Sequence, residues 1–376
     1  MFVKKRRVKL KKGVWLGLLG ILAAIVILIE VFSAGDTDSH AHFVQTMSFN
    51  TFGETSAYSA QGGMFLRDGA TLSFYEPDGT RLFRRSNIAS LGNLFVNDGF
   101  GAIVVQGSNF VEMHSNGGLM YTAIIDGAIS RFAIGQNGYA VAIVSYTGQY
   151  KVMLIDQTGR THLLTLLDDA GKISTAIAMH GNVIVLAQAD LSGVLLNSTI
   201  TLMTFSSHAS RYSAEIIAIN LYNPQQIIGQ IHFANSDVIV IISSSRIFGI
   251  DSASGNTVWS IELQNNVQAF YIGQEHFVIA YGAGILNLGA HGIGDVNVHN
   301  FNGQVVLSTF KNNVTNVATS CGYLVVQSHG YTSIYDIELG EVVTQMHLAG
   351  RAGFLGSANA IFVLATEDMR IYERRR

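Results

Sequence analysis

A chain of 376 residues that is 48% hydrophobic and only 13% charged is long enough for one large all-β domain or two ordinary ones. Its 39 glycines against two prolines, Pro77 and Pro224, exclude a collagen-like or low-complexity chain and fit many short strands joined by tight turns. Seven of its 23 Lys and Arg residues crowd the first twelve positions, leaving 16 basic residues against 26 acidic ones, which argues against nucleic acid as a partner.

Residues 1–12 form a basic tail that carries Lys4, Lys5, Arg6, Arg7, Lys9, Lys11 and Lys12 and no acid. The apolar stretch 13–33 follows, and from Gly13 to Ile29 it holds no charge. At about 1.5 Å per residue, some twenty apolar residues cross a hydrocarbon core of about 30 Å, so the stretch predicts a single transmembrane helix. Glu30 lies near its outer end, and Trp15 sits where an interfacial aromatic belongs. The basic flank predicts a cytoplasmic N-terminus and an extracytoplasmic C-terminal domain, with the cell membrane as one partner. A cleaved signal peptide shares this layout, but a cut after Ala34 would put Phe32 where a small side chain is wanted. Both readings export whatever follows the linker, residues 34–40.

Residues 41–376 repeat. Alternating apolar segments end in a polar residue and a turn glycine, then resume: SFYEPDGTRLF, EMHSNGGLMY, LIDQTGRTHLL, GIDSASGNTVW, VHNFNGQVVL and IYDIELGEVV. The glycines are Gly79, Gly117, Gly159, Gly255, Gly303 and Gly340, and one unit, residues 200–216, has the strands without the glycine. The mean period is about 43 to 44 residues, within the range of propeller blades built from four strands. Within one unit the four strands read SRFAIGQNG, YAVAIVSY, YKVMLIDQ and RTHLLTLL. First strands near residues 55, 90, 128, 172, 226, 267, 314 and 351 predict an all-β propeller of eight four-stranded blades. Seven is the alternative count, and two stacked β-sandwiches the competing architecture. The last unit ends before a fourth strand, and the alternating stretch 42–50 has no blade of its own. It is therefore expected to supply the missing outer strand and close the ring.

The segment IFGIDSASGNTVWSIEL, residues 247–263, resembles the repeat of the quinoprotein-like (PQQ-like) propellers. The resemblance implies that Asp251, Ser254 and Gly255 join the third and fourth strands and that Trp259 packs on a neighbouring blade. Asp156, Thr158 and Gly159 match the same pattern without the tryptophan. Basic tail, helix and degenerate repeats together are similar to a family of membrane-anchored propellers from Gram-positive bacteria that has no assigned activity. The propeller subunit of the outer-membrane barrel assembly machinery, an adaptor, is a more distant likeness. A quinone-dependent dehydrogenase would need a calcium site and an adjacent cysteine pair, and Cys321 is the only cysteine.

Nucleophile-elbow, zincin, phosphate-loop and paired-cysteine motifs are absent. No catalytic, cofactor-binding or metal-ligating residue is assigned, and no cofactor is expected. His40 and His42 could chelate a metal but read as a solvated linker pair. The glycine-rich run GAGILNLGAHGIGD, residues 282–295 with His291, misses the dinucleotide fingerprint and reads as a blade insertion whose Ile285, Leu286, Leu288 and Ile293 could meet a partner. The sequons at Asn197 and Asn313 and the terminal Arg374, Arg375 and Arg376 carry no further assignment. The sequence therefore predicts a non-enzymatic binding or scaffold protein of the cell envelope that contacts another envelope protein or a wall polymer. The alternative is a glycan-active hydrolase or lyase with carboxylates in the propeller channel.

Overall fold

A computed structural model describes residues 41–374 apart from 49–54, 89–91, 98, 106, 168–170, 193–196, 209–210, 223–225, 264–266, 274, 283–292, 321, 329, 348–352, 358–359 and 365–367. The expected membrane segment 13–33, His40, Cys321 and most of the glycine-rich run with His291 lie outside the described residues. Among the described residues no helix is long and apolar enough to cross a membrane.

Eight four-stranded antiparallel sheets account for the described strands, with one short 3-10 turn at Gln136–Gly138. Seven sheets use four consecutive strands: blade 1 (55–86), blade 2 (93–124), blade 3 (128–167), blade 4 (172–222), blade 5 (228–262), blade 6 (267–312) and blade 7 (314–347). In blade 8 the strands Gly353–Ser357, Ala360–Leu364 and Asp368–Arg374 are completed by Ala41–Ser48 from the other end of the chain. The first strand of blade 8 runs beside those of blades 7 and 1, so the sheets form a closed β-propeller. Blade number, first strands and closing strand agree with the reading of the sequence. The insertion in blade 6 is shorter than expected, because Ile293–Asn300 is already that blade's third strand.

Each blade has two faces, and both are covered by neighbours. The second strands consequently read as near-continuous apolar runs, as in Val183–Asp190, Val238–Ser243 and Tyr323–Ser328, which bury all or nearly all of their central residues. Between blades 3 and 4 the core is Val141, Val152, Leu154, Met179, Ile184 and Met203; between blades 5 and 6 it is Val240, Ile247, Phe277 and Ile279. At about 25 cal/mol per Å² of apolar surface removed from water, these interfaces hold the ring together. Fourth strands, at the rim, alternate instead and leave Leu82, Leu163, Val258 and Phe310 exposed.

One-residue slips in register recur at fixed places. Every fourth strand carries one, at Leu82, Met120, Leu164, Ile217, Val258, Val306, Val343 and, in the closing strand, Val44. Such bulges sharpen the local twist and bend an edge strand out of line. That Ala41–Ser48 carries the same slip as the seven other outer strands marks it as the fourth strand of blade 8.

In blades 3, 5, 6 and 7 the turn between third and fourth strands is built on one acidic or amide side chain. Asp156 Oδ1 accepts from Thr158 N (2.9 Å), Thr158 Oγ1 (2.7 Å) and Arg160 N (3.0 Å), and its Oδ2 lies 2.9 Å from His162 Nε2. Burial alone would raise this carboxyl; the hydrogen bonds from His162, Thr158 and Arg160 outweigh it and hold the pKa down to about 2. Asp251 takes the same role with Ser254 N and Oγ, Asn300 with Asn302 and Gln304, and Asp336 with Glu338 and Leu339. Gly159 (φ 82°) and Gly255 (φ 73°) then take the left-handed conformation that a side chain resists. In blade 2 that role passes to Gly118 (φ 118°), the neighbour of the expected Gly117. Trp259 docks on the next blade as the resemblance implies. Its Nε1 donates to Phe301 O at 2.7 Å and its ring stacks on Phe277 with centroids 5.6 Å apart.

Gly159→Val and Gly255→Val are each expected to cost more than about 1 kcal/mol, read as a lowered melting temperature. Unchanged melting in both variants would show that the turn does not require the glycine. A chain shortened to begin at residue 52 should melt earlier or aggregate compared with one beginning at residue 36, because the edge of Asp368–Arg374 is then open. Identical behaviour of the two would remove the closing strand from the account of stability.

Candidate functional site

First strands surround the propeller axis, and in blades 3 to 7 they also slip by one residue, at Ser130, Thr175, Gly229, Gln268 and Thr315. Three of these residues carry hydroxyls that bond back to the second strand: Ser130 to Ile143 O (3.0 Å), Thr175 to Ala187 O (3.4 Å) and Thr315 to Gln327 O (3.3 Å). The slip aligns Arg131, Ala176 and Gln230 as equivalent residues of blades 3, 4 and 5. Two residues further along, Ala133, Ala178 and His232 are equivalent in turn.

Small side chains at Ala133, Ala176 and Ala178 leave room, and a cavity of about 460 Å³ opens between the first strands of blades 2 to 5. Its polar lining includes Asn97, Ser130, Arg131, His180, Gln230 and His232, and its apolar lining Phe95, Phe132, Met179 and Ile231. Three contacts step around it from blade to blade. Asn97 Nδ2 donates to Ile134 O (2.7 Å), Arg131 Nε donates to Thr175 O (3.0 Å), and the His180 ring stacks on Phe233 with centroids 5.4 Å apart. Arg131 Nη1 also donates to Ser130 O at 2.8 Å. The guanidinium thus satisfies carbonyls of two bulged residues that the ladder leaves free.

Among the described residues no Asp or Glu lines the cavity. The carboxylate pair that glycoside hydrolysis requires is not among the described residues of this cavity. Among the described residues no group of three or more His, Cys, Asp or Glu is placed to hold a metal ion. The buried Glu112 and His114 lie elsewhere, between blades 1 and 2. There Glu112 Oε1 is 3.2 Å from Arg85 Nε and 3.1 Å from His114 Nε2, the latter without hydrogen-bond alignment, and the His114 ring stacks on Phe83.

Of the residues singled out in the sequence, His42 falls on the closing strand and Asn197 opens the third strand of blade 4. Asn313 takes a positive φ of 50° between blades 6 and 7, and Arg374 ends the last strand. None of them lines the cavity. Arg131, His180, Gln230 and His232 escaped the sequence reading. A signal was available, since His180 and His232 both lie on first strands, about one repeat apart.

Burial, with a smaller contribution from nearby His180, pushes the His232 imidazole down to about 4. The unfolded chain then takes up a proton near the ordinary value of 6.5 while the folded chain stays neutral, so the contribution is intact above about 6.5 and is lost as pH falls towards 4. His232→Gln should flatten the pH dependence of urea-unfolding free energy in that window by about 2 to 3 kcal/mol. Parallel profiles for the two proteins would mean that His232 is solvated.

No curated protein matches the sequence. Solved structures share the architecture at low identity. BamB from Moraxella catarrhalis aligns with a TM-score of 0.53 and 13% identity over 89% of this chain and 99% of its own. Apo AztD from Citrobacter koseri aligns with a TM-score of 0.56 and 11% identity over 82% and 89%. Sqt1 from Saccharomyces cerevisiae aligns at 0.52 and 11% over 89% and 99%. These likenesses show a β-propeller and nothing finer. One family model matches residues 39–346, most of the chain and nearly all of the ring, and by it the protein belongs to DUF5711, a family of unknown function.

Proposed function

We propose that this protein is a membrane-anchored adaptor of the cell envelope, with segment 13–33 as a single-pass anchor and the propeller outside the cytoplasm, where it binds another envelope protein or a wall polymer without catalysis. The observation that carries this reading is the channel cavity of about 460 Å³, concave, lined by both apolar and polar side chains and, among the described residues, without a carboxylate. A rigid scaffold with many loops suits recognition. The fold shared with BamB is compatible with such a role. The anchor rests on the charge-free run Gly13 to Ile29 behind seven cations.

Protease added to intact spheroplasts should digest the propeller and spare the basic tail. Protection of the whole chain would overturn the topology. In-cell cross-linking should trap an envelope protein or wall fragment on the propeller, and recovery of only the uncross-linked chain would reject the adaptor reading.

A further inference from the structure

We infer that the cavity between blades 2 and 5 binds an organic carboxylate with a compact apolar body, its carboxylate held at Arg131 beside Gln230 and His232. This deepens the binding role proposed above and rests on it. Arg131 on blade 3, Ala176 on blade 4 and Gln230 on blade 5 hold equivalent positions of their first strands and line the same cavity.

The donors are unspent. Arg131 uses two of its five N–H groups, on Thr175 O and Ser130 O, and both acceptors are neutral carbonyls. A part-buried cation in an open cavity whose described walls hold no carboxylate has no charged partner there, and an anion that accepts from the remaining guanidinium hydrogens supplies one. The Gln230 side chain is exposed and that of His232 half-buried, and each offers at least one N–H to the cavity. The apolar part of the ligand follows from the other walls. Phe95, Phe132, Met179 and Ile231 suit a ring or short branched chain, and about 460 Å³ accommodates one small molecule. Inorganic phosphate would leave these apolar walls uncovered, which favours a carboxylate with a hydrocarbon body.

The test uses the full-length protein in detergent micelles, titrated calorimetrically with hydrocinnamate, its neutral amide and inorganic phosphate. Hydrocinnamate should bind saturably and at least tenfold more tightly than either of the others. Arg131→Met should weaken it at least tenfold and Arg131→Lys less. Because Arg131 also ties blades 3 and 4, a second variant is needed: Gln230→Ala removes an exposed carboxamide that lines the cavity, and it should weaken binding at least fivefold with the melting temperature preserved. No binding of hydrocinnamate, equal binding of the amide or of phosphate, or full affinity in Gln230→Ala would each overturn the proposal. Envelope cross-linking of the same preparations separates the two readings. Carboxylate binding lost with cross-linking intact rejects the site alone, and cross-linking lost with carboxylate binding intact rejects the adaptor role alone.

Discussion

The pairing of Ala41–Ser48 with Asp368–Arg374 is the constraint on which the ring depends. Blades in this molecule are stable because each buries both faces against neighbours, and a row of sheets with free ends would leave two faces and one inner edge in water. Seven antiparallel residue pairs, from Ala41 with Arg374 to Ser48 with Asp368, join the two ends of the chain in a single sheet. Blade 8 cannot exist without both ends, and blades 7 and 1 both lean on blade 8. The apolar seams between the other blades, such as the Val141 and Met179 cluster, thereby close into a circuit with no terminal member.

Much of this architecture was legible in the sequence because its determinants are local. A turn that needs positive φ selects glycine, so Gly79, Gly159, Gly255, Gly303 and Gly340 marked the repeat, and in each of these turns the polar residue ahead of the glycine was also visible. The closing strand was legible by subtraction, since the last unit lacked an outer strand and one alternating stretch lacked a blade. Blade 4 was harder, because its long third and fourth strands, Asn197–His208 and Arg211–Tyr222, turn without that glycine.

The candidate site was not legible, and the reason is register. A bulge adds one residue of no fixed type: Ser130, Thr175 and Thr315 carry hydroxyls, but Gly229 and Gln268 do not, so no single residue type marks the slip. Shifting a strand by one residue exchanges its two faces, so Arg131, Ala176 and Gln230 cannot be aligned until each slip is located. The cavity is also defined by what is missing. Alanines at Ala133, Ala176 and Ala178 look like ordinary strand residues, and only their meeting around one axis turns three small side chains into a chamber.

Closure by the two ends also sets a clock on the ring. Some three hundred residues separate the closing strand from its partner, and ribosomes add about 5 to 20 residues per second. The N-terminal strand therefore waits for roughly a quarter of a minute to a minute before its mate exists. During that time blades 1 to 7 can collapse in the order of their synthesis, since their strands pair with near neighbours in the chain. The last step, by contrast, is a loop closure spanning the seven other blades. A nascent propeller of this kind is an open arc until its final residues arrive, and what guards the waiting strand in that interval matters to the cell as much as the finished fold.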